Sequence, residues 1–390
     1  MALVIAQLDA KLLRCGKSVF RYFPSLNFSH GCRVGRNGGT SIMKRTVCAV
    51  GAMLLAGSAL VGVARAADEL TVTSWGGSYS ESQRKAYYEP YIAAGNKITE
   101  AEYSGELALI KAQVEAKAIT WTVVDVDTPT AVQGCAEGVL ETIDWAKLGL
   151  DQSKFIGGDL TECAVPTIVY GTVFGYDTSK LPEGPTTVAD FFDLAKFPGK
   201  RGLFKNPTNN LEWALFADGV AIEDVYKVLS TPEGVDRAFK KLDTIKKDIV
   251  WWEAGAQAPQ LLADGQVVMT SAWNGRLQSA IDKDGKPFKI VWDHQGLDWD
   301  WWAIPKGNPK LEEAYRFIAY ASSAVPQAEQ TKYIAYGPAN SEAIPNIDPK
   351  ALPNLPTAPD NLKTAFKIDP QFWADNGDQL KERFNAWLAQ

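Results

Sequence analysis

The sequence predicts an α/β fold built as two domains, and three observations carry that expectation. β-branched apolar runs alternate with segments whose apolar residues recur at helical spacing, the pattern of mainly parallel sheets flanked by helices. A length of 390 residues leaves room for two cores of ordinary size. No internal repeat or low-complexity tract breaks the pattern.

The elements follow in order. Leu70–Trp75 alternates apolar and polar residues, reads as a strand and runs into Gly76-Gly77-Ser78. A helix is expected from about Ser80, with Gln83 at capping-box spacing. Glu106–Ala118 carries Leu107, Ile110 and Val114 on one helical face, and Val123–Asp127 is a strand broken by Pro129. Val165–Tyr176 is too interrupted by glycine for a helix and reads as a strand crossing between lobes. The second half opens with a short helix over Thr187–Leu194 and a strand over Gly202–Phe204. A turn at Asn206–Asn210, a helix to about Asp218 and helices over Asp224–Leu229 and Glu233–Lys247 come next. Strands are expected at Ile249–Trp252, Val267–Ala272 and Phe288–Trp292, with a short helix over Ala258–Ala263 between the first two. Helices at about Lys310–Ser322, Gln327–Tyr333 and Gln379–Leu388 complete the chain.

The first 66 residues stand apart. Lys44-Arg45, a small apolar run over Val47–Val63 and Ala64-Arg65-Ala66 have the n-region, h-region and cleavage pattern of a secretory signal peptide over residues 43–66. The run is short for a membrane span. Residues 1–42, basic and rich in turn formers, read as a dispensable extension. Cleavage near Ala66 would place the mature protein in the periplasm. Residues 1–66 hold nine of the 40 Lys/Arg and one of the 46 Asp/Glu, so 31 basic and 45 acidic groups remain, a formal charge of −14. That argues against a nucleic-acid partner and suits a cationic solute or simple solubility.

Cys15, Cys32 and Cys48 fall in the same leader, and Cys135 and Cys163 remain. An even count in an exported chain predicts a disulfide; two buried thiols are the alternative, and a metal pair lacks nearby histidines. His294 is the single histidine after residue 66. Histidine-based triads and zinc hydrolase sites are therefore disfavoured, and no catalytic residue, metal or cofactor is expected.

Asp298-Trp299-Asp300-Trp301-Trp302 places three indoles and two carboxylates in five residues. Indole faces attract cations and a carboxylate hydrogen-bonds ammonium. Core packing with solvated aspartates is the bland alternative. In open α/β sheets ligands bind beyond the carboxyl ends of strands, which singles out Trp75, Asp127, Tyr170, Trp273 and Asp300.

With those residues go the segment Val165–Gly171, the Trp273-Asn274-Gly275 turn, Asp300 before Ala303-Ile304-Pro305, Tyr336–Asn340 and Trp373–Asn376. In that order the chain resembles the periplasmic solute-binding proteins of ABC importers, specifically the spermidine/putrescine-binding family, over most of residues 68–390. The resemblance implies a two-lobed, type II-like fold closing on a small solute, with that solute and a membrane permease as partners and the protein a monomer. It implies lobe 1 from residues 67–170 and 303–345 and lobe 2 from 171–302 and 346–390. Hinge strands would lie near Tyr170–Gly175 and Trp302–Pro305, with a crossing near 340–350. Trp75 and Trp273 look like indole walls, Tyr170 and Tyr336 like further aromatic contacts, Asp127 like a polar contact and Asp300 like the ammonium-binding carboxylate. Ser78, in the turn after the first strand, joins the candidates.

The departures shape the ligand. Asn206 and Asn209 are neutral where polyamine binders place two acids, although Glu212 restores an acid if the alignment slips. Arg276 stands at the start of a predicted helix, where a guanidinium and helix-terminal amides hold a carboxylate and repel a dication. A salt bridge to a surface acid is the alternative for it. The expected ligand is polyamine-like or, on these departures, a zwitterion such as an ω-amino acid or opine. A glycan hydrolase using Asp298 and Asp300 is the competing class, but aspartates two apart on a strand share one face and do not flank a bond. An iron binder lacks an adjacent tyrosine pair, since Tyr333 and Tyr336 are separated.

Overall fold

Ten strands form one mixed sheet in the computed structural model, which describes residues 69–390. They are β1 (Glu69–Ser74), β2 (Lys97–Glu102), β3 (Val123–Asp127), β4 (Ala164–Asp177), β5 (Arg201–Phe204), β6 (Ile249–Trp252), β7 (Met269–Trp273), β8 (Phe288–Ala303), β9 (Gly337–Pro338) and β10 (Phe366–Lys367). The path runs β2-β1-β3-β8-β4-β7-β5-β6, with β10 on β8 and β9 on β4. Pairing is parallel within β1–β3 and within β5–β7, and antiparallel wherever β4 or β8 meets β3, β7 or the other. The signal peptide and extension expected at the N-terminus lie outside the described residues.

β4 and β8 are the long strands that join the two halves. The start of β4 pairs with the end of β8, beside β3; the end of β4 pairs with the start of β8, beside β7. Between these stretches the register slips. Thr172 faces Gly296 and Phe174 faces Val291, so 292–295 bulge opposite Val173, with His294 in the left-handed region at φ 51°. A bulge bends a strand and re-aims the residues beyond it. On β4 the slip lies between Thr172 and Phe174. On β8 the slip lies at 292–295, and Trp299–Ala303 pairs with the first half of β4.

Each half carries cores on both faces of its sheet. Helix Leu311–Ala321 packs Ala314, Phe317 and Ile318 with Val123, Val165 and Trp302. On the opposite face Val124 and Val126 meet Trp299 and Trp301. In the second half Phe174, Trp213 and Phe239 share a core with Trp373, Phe384 and Trp387 of the last helix, Pro370–Leu388. Arg201 is fully buried there, donating to the Phe191, Gly199, Asp193 and Phe197 carbonyls. The predicted disulfide is present, tying helix Thr128–Ala136 to the residue before β4.

Some local expectations change. Pro129 does not merely end β3; it starts helix Thr128–Ala136, for which Asp127 is the N-cap, accepting from Thr130 N at 3.0 Å. The earlier helix begins at Gly77 rather than Ser80, and no capping box forms. Ser80 Oγ instead accepts from Gly76 N, while the Gln83 amide turns inward to Asp125.

Candidate functional site

A cavity of about 600 Å³ opens between the two groups of strands. On the first side its acidic wall follows from strand register. Asp127, the last residue of β3, lies directly opposite Asp300 of β8, and Asp298 lies opposite Tyr170 of β4. The two-residue spacing puts Asp298 and Asp300 on one face, while Trp299 and Trp301 point into the core behind. Trp302 is also core, so none of the three indoles of that stretch lines the cavity.

Opposed carboxylates on neighbouring strands repel, and none of these is within ion-pair distance of a Lys or Arg among the described residues. Asp127 has its N-cap bond. Asp298 accepts from Trp299 N at 2.8 Å and from the Tyr170 hydroxyl at 3.2 Å. Asp300 has the Tyr79 hydroxyl beside it and is the least engaged of the three. Burial, reinforced by Asp127, pushes Asp298 up to about 7. Burial, then the charges of Asp125, Asp127 and Asp298, raise Asp300 well above the usual carboxylate range. A cation in the cavity would oppose both shifts by favouring the ionised carboxylates.

The opposite wall comes from β7 and the helix it feeds, Asn274–Asp282. Asn274 fixes that junction, accepting from Gly171 N and donating to Ala335 O. Arg276, 2% exposed, donates to the carbonyls of Gly76 at 3.0 Å and Trp75 at 3.1 Å across the cleft. Its guanidinium lies 5.1 Å from the Trp273 ring, and its Nε has no partner. The surface salt bridge considered for it is absent among the described residues; Arg276 is a buried cation facing the cavity. Glycine at 77 and 255 makes room, since a Cβ at either position would meet the guanidinium at 2.8 or 2.4 Å.

Aromatic rings close the space between the poles. Trp75 and Trp273 meet edge to face at 5.8 Å, forming a corner rather than parallel walls. Tyr336 packs on Tyr79 at 5.4 Å and on Tyr170 at 6.3 Å, with its hydroxyl beside Arg276. Burial raises the Tyr336 hydroxyl far above its ordinary range, so it stays a neutral donor.

Nine of the ten residues singled out from sequence line this cavity: Trp75, Asp127, Tyr170, Asn206, Asn209, Trp273, Arg276, Asp300 and Tyr336. Ser78 does not line it; following Gly77 in the helix, it is half-buried outside the cavity. Asn206 Oδ1 accepts from Thr208 N, and Asn209, at φ 66°, keeps its Oδ1 buried without a partner. Glu212 does not restore an acid to the cavity. It is buried in the second half, accepting from Trp373 Nε1 at 2.9 Å and the Tyr226 hydroxyl at 3.0 Å, and burial pushes it up to about 7. Sequence reasoning missed Tyr79, Thr172, Phe204 and Trp252 as lining residues. Only Tyr79 had a local signal, two residues beyond the glycine pair that ends β1.

Two lobes hinged by shared strands, with the site between them, define a solute-binding protein. This chain belongs to the bacterial extracellular solute-binding proteins, whose family matches residues 94–357. It is a binder of the ABC-importer class and not an enzyme, capturing a small solute for a membrane permease. The gamma-aminobutyric acid-binding protein of Pseudomonas aeruginosa is 45% identical over 86% of this chain and 96% of its own length. Among solved structures, MotA from A. tumefaciens B6 in complex with glucopine is 33% identical, with a TM-score of 0.77 over 82% of this chain and all of that one. A solved GABA receptor is 35% identical, with a TM-score of 0.73 over 83% of this chain and 98% of that one.

Proposed function

We propose that the protein binds a small zwitterion, an ω-amino acid of the 4-aminobutyrate kind, with its ammonium at Asp300 and its carboxylate at Arg276. One observation carries the reading: among the described residues, Asp298 and Asp300 on one side of the cavity form no ion pair, and neither does the buried Arg276 guanidinium on the other. A dication satisfies the first pole and is repelled by the second. Asp127 and Asp298 extend the ammonium pole, Trp75 and Trp273 flank the methylene chain, and Tyr170 and Tyr336 add polar contacts. Asn206 and Asn209 put neutral amides where polyamine binders place two acids; of the acids that line the cavity on that side, Glu253 and Asp378, the first is paired with Lys205. The identities of the GABA-binding relatives agree with this assignment.

A larger zwitterion of the opine type is the second reading. Lys111 and Lys381 also line the cavity, whose volume of about 600 Å³ exceeds that of a four-carbon chain, and the glucopine complex is among the similar structures.

We infer a monomeric periplasmic protein released by cleavage near Ala66. On the register of β4 and β8 we assign lobe 1 the segment of β8 from Gly296 onward and lobe 2 the segment before the bulge. Isothermal titration against 4-aminobutyrate, putrescine, spermidine and an opine tests the ligand assignment. Binding of 4-aminobutyrate or the opine with putrescine silent is expected, and tight binding of the diamine overturns it.

A further inference from the structure

We propose that Asp125, which does not line the cavity, is a positioning residue that fixes the aromatic wall of the first lobe in the pose the ligand meets. The inference rests on reading the cavity as the ligand site. Asp125 is fully buried on β3, on the same face as Asp127. Its Oδ1 accepts from Trp75 Nε1 at 3.1 Å, and its Oδ2 accepts from the Tyr79 hydroxyl at 2.9 Å and from Gln83 Nε2 at 2.5 Å. Trp75 and Tyr79 both line the cavity, whereas Gln83 does not. Gln83 is held in turn by the Tyr88 hydroxyl, which donates to its Oε1 at 3.1 Å.

The chemistry selects a carboxylate. An indole N–H can only donate, and Gln83 already presents its NH₂. An ionised Asp supplies acceptors alone; Asn in its place would turn an NH₂ toward at least one donor. No Lys or Arg forms an ion pair with Asp125 among the described residues, and burial pushes it up to about 7. Retaining an acid there at that desolvation cost is unnecessary for core packing. It is explained if the three donors must be held, because Trp75 and Tyr79 sit at the ends of flexible χ angles on a strand end and a short helix. Their rings also set the geometry of neighbours, Trp75 against Trp273 and Tyr79 against Tyr336.

The experiment has one readout that needs no ligand. In the wild-type protein the indole N–H of Trp75, assigned by its loss in Trp75→Phe, is expected to exchange slowly with solvent by NMR. In Asp125→Asn that exchange should accelerate at least tenfold, with other indole protons unchanged. Affinity for 4-aminobutyrate, by calorimetry, should fall about tenfold, and by less than threefold when Asp125→Asn is made in the Trp75→Phe background. Unchanged exchange, or losses that simply multiply, overturns the proposal. If Asp125→Asn does not fold, Gln83→Ala removes a donor remote from the cavity; faster Trp75 exchange with weaker binding supports the proposal, and neither change overturns it. A wild-type protein that does not bind 4-aminobutyrate overturns the ligand reading, while the exchange measurement still decides the role of Asp125.

Discussion

Asp300 owes its importance to what the protein withholds from it. Burial, then the charges of Asp125, Asp127 and Asp298, hold its carboxyl well above the usual range, and among the described residues it forms no ion pair with Lys or Arg, which suits the ammonium-binding role proposed for it. Asp300→Asn keeps the shape and removes the charge. Affinity for an amine ligand should fall by about 2–5 kcal/mol, the cost of truncating a buried charge pair, with the fold intact by circular dichroism. Proton linkage gives a second expectation. Burial pushes Asp125 and Asp298 up to about 7 in the folded chain, against an ordinary 3.8. Between those values the folded chain binds more protons than the unfolded one, so ligand-free stability should decline as pH rises from about 4 to about 7. An ammonium ligand favours the ionised carboxyls, so its affinity should rise over the same window, and calorimetry in buffers of different ionisation enthalpy should show proton release. Thermal melts that gain stability across this window would argue against the raised values. At this level Asp300, Arg276 and Trp75 were legible from residue type and position at strand or helix ends. Tyr79 and Asp125 were not, since their roles depend on hydrogen bonds across more than forty residues of sequence.

β8 shows why elements can be recognised while their joins are missed. Phe288–Trp292 and the Trp-rich stretch each read as strand-like, yet the polar 293–295 between them hid a single strand of 16 residues. A bulge disrupts the alternation on which strand reading depends. β2 escaped for another reason: Lys97–Glu102 is an edge strand, largely exposed and charged, without an apolar face to mark it. Helix Pro232–Asp243 offers a test of packing against propensity. Gly234→Ala should stabilise a helix by intrinsic preference, but a Cβ there would stand 1.9 Å from the Val228 carbonyl oxygen. The substitution should lower the melting temperature; an increase would place that turn farther away. The disulfide, spanning 28 residues, should contribute about 3–4 kcal/mol by loop-entropy reasoning. Reduction should lower the chemical-denaturation midpoint by a corresponding amount while leaving ligand selectivity unchanged, because neither cysteine lines the cavity.

The molecule as a whole turns two incomplete half-sites into one site. In the proposed reading the first lobe contributes the acids and the second the guanidinium, so a ligand carrying both charges would engage both walls at once. Arg276 also reaches the Trp75 and Gly76 carbonyls of the first lobe, linking capture to closure. Only differential affinity for the closed arrangement can shift the lobes, and a zwitterion spanning the poles supplies it. Alternating strands and helices made the α/β class readable from sequence. The assembly of distant residues into two facing poles was foreshadowed by Arg276 and the two asparagines, but its geometry required the register of β3, β4 and β8. The two-pole site is tested most directly by titrating 4-aminobutyrate and putrescine into the wild-type protein and Arg276→Met. The wild type should prefer the amino acid by more than about a hundredfold, consistent with a buried charge pair, and the variant should lose most of that preference. Equal or tighter putrescine binding by the wild type, or a preference unchanged in Arg276→Met, would show that Arg276 is not the carboxylate pole.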